Sequence, residues 1–342
     1  MINSITPRVV VLGGGYAGVE LVESLEDAPV DVVLVDQKPE HTKKTKLWKM
    51  AVGRESDAVE PLSKVARKAG AELRLGQVQA IDTESRQVKL EGGPTLSYDY
   101  LVVALGSRPA TPEGAEHVLT IDQPEDAQRI RETVRARALE AMQTGQNLPI
   151  VVVGGGATGI ELAGVAHEVV RQVSPQLLER LELTLVHSQS RILNGQSDEL
   201  AARTTAALAD LGVRLQLGQR VAAVREGQVE LASGQILPSV CTLWATGTRA
   251  PELLASLGPT DRAGRLEVSK HLNLPEHPEV FIIGDAALAR CAGQSVPPNK
   301  RAAKQEAEQT AQNLRNAVAG KPLEPFSYRD NKDWHHIGPV EL

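Results

Sequence analysis

The chain of 342 residues carries one pattern twice. Residues 10–21 read VVLGGGYAGVEL and residues 151–162 read VVVGGGATGIEL, 141 positions further on. Each block is an aliphatic, β-branched run, then three glycines, then apolar residues at helical spacing. That order builds a buried strand, a tight turn and the start of a helix. Two such blocks predict two related α/β bodies, and at ~150 residues per domain the length holds about two. With 3% aromatic residues and 29 glycines, the cores must be filled by Val, Leu, Ile and Ala. Such residues suit parallel strands buried on both faces. They exclude a lectin-like sandwich and a stacking platform for single-stranded nucleic acid. A formal charge of −6 gives nucleic acid no basic footprint.

The first glycine loop is Gly13-x-Gly15-x-x-Gly18. Its first glycine permits the turn, the second lets a pyrophosphate approach the backbone, and the third lets helix pack on strand. The helix N-terminus then holds the phosphates. An acid should close the next strand and bind a ribose, and VDVVLVD (30–36) ends at Asp36. The second loop is Gly154-x-Gly156-x-x-Gly159, and its next strand, LELTLVHSQSRIL (181–193), offers His187 and Arg191 instead. Without a carboxylate, a 2′-phosphate meets no like charge, so NADPH stands beside NADH. The same two residues read equally well as a solvated surface.

Three more apolar runs end in glycine: YDYLVVALG (98–106), CTLWATG (241–247) and EVFIIGDAA (279–287). Residues 122–145 read as a helix capped by Asp122, and residues 299–319 as another stopped at Gly320. AALAR (286–290) reads as helix-like, and residues 82–97 as a hairpin around Gly92-Gly93. The sequence holds no low-complexity linker, which predicts one doubly wound domain inserted into another: 1–110 with 251–342, and 111–250. Cys241 and Cys291 form no CxxC, which favours a reducing cytosol and gives no redox disulfide. Met1-Ile2-Asn3-Ser4 runs straight into a strand, from which no signal peptide is expected, and no run is long enough to span a membrane. No metal site is indicated; His335-His336 is the one close histidine pair.

The ordered set GGGYAG (13–18), Asp36, ALGSRP (104–109), GGGATGIELAG (154–164), ATG (245–247) and FIIGDAA (281–287) resembles the flavoproteins with two dinucleotide-binding, Rossmann-like domains. Within them it resembles the type II NADH dehydrogenases. The resemblance implies that Gly13, Gly15, Tyr16, Ala17, Gly18, Asp36, Lys46, Ala104, Gly106, Gly284 and Asp285 hold FAD. It implies that Gly154, Gly156, Thr158, Gly159, Glu161, His187, Arg191 and Gly247 hold NADH or NADPH. Domains 1–110 and 251–342 would then bind FAD, and 111–250 the nicotinamide nucleotide. Glu161, Arg301 and Gln305 are the candidate catalytic residues, Glu161 lying beside the nicotinamide ribose.

Three departures matter. Arg301 stands where the family helix carries its first Gln, while Gln305, i+4 on the same face, is kept. Lys43, Lys44, Lys46 and Lys49 surround Trp48 where quinone enzymes tend to be apolar, which suggests a polar or anionic acceptor. The family pattern continues beyond Ile337-Gly338 into an acceptor-side, membrane-contacting segment, which is expected to be missing here. The expected function is an FAD-dependent NAD(P)H dehydrogenase that passes electrons to a quinone or a polar acceptor. A flavin-binding redox-responsive interaction protein and a reductase of a small electron-carrier protein are the alternatives. The expected location is cytoplasmic, with peripheral contact at the inner face of the membrane, and a homodimer fits the exposed C-terminal edge.

Overall fold

The aliphatic runs form the central strands of two parallel sheets in a computed structural model that describes residues 6–329 and 336–341. Along the chain come β1 (Arg8–Leu12), α1 (Tyr16–Ser24), β2 (Asp31–Asp36), α2 (Leu47–Ala51), α3 (Leu62–Lys68), β3 (Glu72–Leu75) and β4 (Tyr100–Val103). There follow β5 (Val118–Leu119), α4 (Pro124–Thr144), β6 (Leu148–Val153), α5 (Ala157–Val173), β7 (Leu181–His187), α6 (Asp198–Asp210) and β8 (Arg214–Leu217). Then come β9 (Cys241–Trp244), β10 (Val280–Ile282) and α7 (Lys300–Val318).

Two compact units divide these elements. One takes residues 6–43, 59–108 and 248–329; the other takes 44–58, 109–247 and 336–341. The first sheet has the order β10-β4-β1-β2-β3 and the second β5-β9-β6-β7-β8, all parallel. Each glycine block supplies the central strand of its sheet. Val9 and Val11 face one apolar layer while Val10 and Leu12 face another, and all four are fully buried. Ile150 and Val152, against Val151 and Val153, repeat the arrangement. Burial on both faces is why these strands read as continuous aliphatic runs and not as alternating ones.

Each unit adds a three-stranded antiparallel sheet, at 78–82, 87–90 and 95–97 in the first and at 221–225, 228–231 and 236–238 in the second. The hairpin expected at 82–97 is part of the first. Helix α4 is capped by Gln123, with Asp126 answering in a capping box, and not by Asp122. Asp122 is taken instead by an ion pair with Lys44. AALAR is not helical. One turn of 3₁₀ helix covers Gly284–Ala286, and Ala287–Leu288 is a short strand beside Leu266–Glu267. Local composition favoured helix there, and sheet pairing overrode it.

Residues 44–58 leave the first unit in sequence and pack in the second. Leu47, Ala51, Val52 and Ala58 are buried in one core with Ile130 and Val134 of α4 and Val165 and Val169 of α5. Among the described residues, no helix is long and apolar enough to cross a membrane. Leu47→Ala removes a side chain that is 1% exposed. It is expected to cost about 2–5 kcal/mol, read by urea unfolding through the fluorescence of the adjacent Trp48.

Candidate functional site

The two glycine loops have the same geometry. Gly13 N–H donates to Val35 O at 2.7 Å, and Gly154 N–H donates to Val186 O at 2.8 Å. The following helix passes so close that a Cβ on Gly18 would lie 1.8 Å from Gly13 O, and one on Gly159 1.8 Å from Gly154 O. The outer glycines are the opposite case. Gly15 and Gly156 are exposed, and nothing lies within 4 Å of where a Cβ would stand. Each is the N-cap of its helix, α1 or α5, with no side-chain cap. The other described helices of comparable length are side-chain capped: α4 by Gln123 with Asp126, α6 by Ser197 and α7 by Asn299. Helices α1 and α5 therefore present free N–H groups and a positive dipole end to whatever lies above the loop. A pyrophosphate fits both.

In the first unit the candidate residues converge at the carboxyl ends of β1, β2, β4 and β10. Asp36 closes β2 and accepts from Gly14 N at 2.6 Å and from Lys38 N at 2.8 Å. His41, 3% exposed, donates from Nδ1 to Gly14 O at 2.8 Å, so both sides of the Gly14 peptide are held. Burial lowers the His41 pKa, outweighing its bond to Gly14 O; Lys43 and Lys300 lower it further and Glu60 raises it. Tyr16 meets the His41 ring edge-on at 5.3 Å, with the Lys300 ammonium 4.9 Å from its own ring centroid. Ala104 O backs Gly13, and Ala17 lies against Gly284, which brings the Gly284-Asp285 turn to the first loop. Asp285 accepts from Ser107 Oγ at 2.8 Å. Gly106 lies just beyond β4 with φ +67°.

Sequence reasoning missed Glu306. This carboxyl, on the buried face of α7 and 3% exposed, accepts from Gly284 N at 2.6 Å and so ties the helix to the turn that carries Asp285. Burial, assisted by the nearby Asp285, pushes its pKa up to about 8, against the Gly284 bond and Arg265. Its signal was an acid within the otherwise small, buried series Ala302, Ala303, Ala307. Arg301 lies in the first turn of α7. The Gln305 amide is engaged, donating to Arg329 O and accepting from Arg329 N, each at 2.9 Å.

In the second unit His187 closes β7 where Asp36 closes β2, and its Nδ1 accepts from Gly155 N at 3.1 Å. Burial lowers its pKa. Arg191 is held by the Asp198 carboxylate and by Gln196 O. Thr158 is exposed in the first turn of α5. Gly247 accepts from Ala110 N at 3.1 Å and has φ +72°. Glu161 makes no hydrogen bond or ion pair among the described residues, and burial pushes its carboxyl up to about 8. Gly338 lies directly on it: a Cβ there would be 2.6 Å from Glu161 Cγ. Burial pushes the Cys241 thiol up to about 12, as suits an inert packing residue.

Lys46, grouped by sequence with the first loop, belongs to the second unit and pairs with Asp57. The lysine run as a whole is not an unpaired cationic surface. Lys43 pairs with Glu60 at 3.0 Å, Lys44 with Asp122, and Lys49 lies 5.9 Å from the Trp48 ring centroid. Acids distant in sequence pair with three of its four lysines. Among the described residues, no group of three or more His, Cys, Asp or Glu is placed to hold a metal ion.

Two dinucleotide cradles on paired parallel sheets define the class, and the comparisons with known proteins agree. The pyridine nucleotide-disulphide oxidoreductase model matches residues 7–315, and the chain belongs to that family of oxidoreductases. It is 30% identical to the type II NADH:quinone oxidoreductase Ndh of Mycobacterium tuberculosis, over 98% of this chain and 80% of that one. It is 28% identical to the type II NADH:quinone oxidoreductase of Haemophilus influenzae, over 94% of this chain and 83% of that one. The NDH2 structure from Plasmodium falciparum in complex with NADH has the same fold, with a TM-score of 0.81, 16% identity, and 91% and 84% of the two chains covered.

Both buried carboxyls have raised pKa values, so their sign is fixed. The folded protein holds these protons more tightly than the unfolded chain, and stability is lost as pH rises from about 4.5 toward 8. Glu306→Gln, which keeps an acceptor for Gly284 N, is expected to gain in melting temperature relative to the parent across that window. Thermal unfolding at pH 5, 6, 7 and 8 would measure the trend.

Proposed function

We propose that the chain is an FAD-dependent NAD(P)H dehydrogenase that delivers electrons to a quinone. The observation that carries this reading is the pair of exposed, uncapped helix N-termini over matching glycine loops. The first unit supports FAD through Gly13, Gly15, Gly18, Asp36 and Asp285. Asp36 stands where a ribose would meet it, and Asp285 stands on a turn anchored by Ser107 and Glu306. The second unit supports the reduced nicotinamide nucleotide through Gly154, Gly156, Gly159 and His187. Bound FAD would supply a hydride acceptor for the nicotinamide and a donor of electrons to the quinone. The protein's part is to hold, orient and shield these groups.

Glu161 is the proton-holding side chain this reading assigns to the second unit, since burial pushes its carboxyl up to about 8. Quinone as acceptor follows the names of the relatives and the pairing of Lys43, Lys44 and Lys46 with acids. A lipid-soluble acceptor would bring the chain to the cytoplasmic face of a membrane as a peripheral protein.

The purified full chain is expected to be yellow. Anaerobic NADH should bleach its flavin band, and a short-chain quinone should restore it. A protein that takes up no FAD, or whose flavin is left unbleached by either nicotinamide nucleotide, would overturn the reading. Asp285→Ala should lower flavin retention about 10- to 100-fold, the scale of a hydrogen bond to a charged group.

A further inference from the structure

We propose that His41 is a positioning residue of the flavin site: its hold on the Gly14 carbonyl aims the Gly15 N–H at the pyrophosphate. The inference rests on the reading of the first unit as the FAD site. The Gly14 carbonyl and the Gly15 N–H belong to one planar, trans peptide, so they point in opposite directions. His41 Nδ1 lies 2.8 Å from Gly14 O and, facing a carbonyl, carries the proton. Gly15 N–H therefore points away from the imidazole. Gly15 is exposed, and its N–H has no hydrogen-bond partner among the described residues.

This peptide joins two glycines, so no side chain of its own restricts its rotation. The peptide before it is pinned separately, since Gly14 N donates to an Asp36 oxygen at 2.6 Å. Without His41 the Gly14–Gly15 peptide is free to turn over and carry its N–H away from an anion above the loop.

The second unit meets the same need with a different group. Its Gly155 carbonyl accepts from Leu193 N at 2.8 Å, and Leu193 stands at φ +50°, a left-handed conformation uncommon for leucine. Gly156 N–H, the counterpart of Gly15 N–H, again has no partner among the described residues. An imidazole in one cradle and a backbone amide in the other thus reach the same carbonyl. His41 is fixed in place for this. It is 3% exposed and lies on a short strand, Glu40–Thr42, paired with Val59–Pro61. The Tyr16 ring meets it edge-on at 5.3 Å. A donor ordered before the ligand arrives adds affinity because binding need not order it.

Equilibrium dialysis of the full chain against FAD, read by flavin fluorescence, tests the proposal. His41→Phe keeps a ring against Tyr16 and removes the donor. It should raise the FAD dissociation constant about tenfold, the scale of one hydrogen bond. His41→Asn brings an amide N–H to the place of Nδ1 and should stay within about threefold of the parent. NAD⁺ binding, measured by calorimetry as a report on the second unit, should change by less than about twofold in both variants. His41→Leu, a smaller replacement without a donor, gives the same reading should His41→Phe fail to fold. Undiminished FAD affinity in the donorless variants overturns the inference, and so does an Asn variant no better than they are. Equal losses of FAD and NAD⁺ affinity would also overturn it, by making the role of His41 a general one in folding. A parent chain that binds no FAD overturns the assignment of the first unit and the inference together.

Discussion

The structure depends on one steric constraint applied twice: a helix must start within van der Waals reach of the carbonyl of its own preceding turn. Gly18 against Gly13 O, and Gly159 against Gly154 O, leave no volume for a methyl group. A second pair of glycines in the same loops answers no such constraint. The chain reaches the helix through Gly15 or Gly156, which has no side chain to cap the first N–H groups. Elsewhere the protein caps its longer helices with Gln123, Ser197 or Asn299. Gly18 and Gly159 thus order the strand–turn–helix unit, while Gly15 and Gly156, which no packing requires to be glycine, leave its donors free for an anion.

The repeat lets equivalent positions be compared, because the two glycine loops share one geometry. Glu20 and Glu161 occupy the same place after their loops. Glu20 pairs with Lys304 of α7, an ordinary ion pair. Glu161 meets no cation, and the backbone of Gly338 covers its side-chain carbons. One sequence position therefore yields a charged group in the first unit and a largely protonated acid in the second. Asp36 and His187 diverge the other way, keeping the hydrogen bond to the loop and changing only the charge.

The parts legible in the sequence were those set by local backbone demands. The glycine loops, the aliphatic strands, Asp36 and the strand-end Gly-Asp turn announce themselves through spacing and hydrophobic pattern. Side-chain pairing over long separations was not legible. Four lysines within seven residues read as a cationic surface, yet Lys44 finds Asp122 and Lys43 finds Glu60, neither adjacent in sequence. Nor could spacing show that residues 44–58 pack into the second unit, since Leu47 and Val52 fit any apolar core. Gln305 was legible through the family resemblance of its helix, but its amide is occupied by the Arg329 backbone. Glu306 was passed over because one acid in a strongly polar helix looks solvated until the buried face is known.

Glu306 and Glu161 show why burial alone does not define a functional acid. A carboxyl removed from water is costly unless something compensates. At Glu306 the compensation is structural: it receives Gly284 N–H and locks the turn bearing Asp285, so its position is explained within the unit. Glu161 is half-buried and receives no hydrogen bond from the described residues. A neutral side chain of the same size would satisfy the packing of α5 there without the desolvation penalty. Glu161 differs in that the unit's own packing leaves its carboxyl unbonded, whereas the Glu306 carboxyl is spent on the turn that carries Asp285.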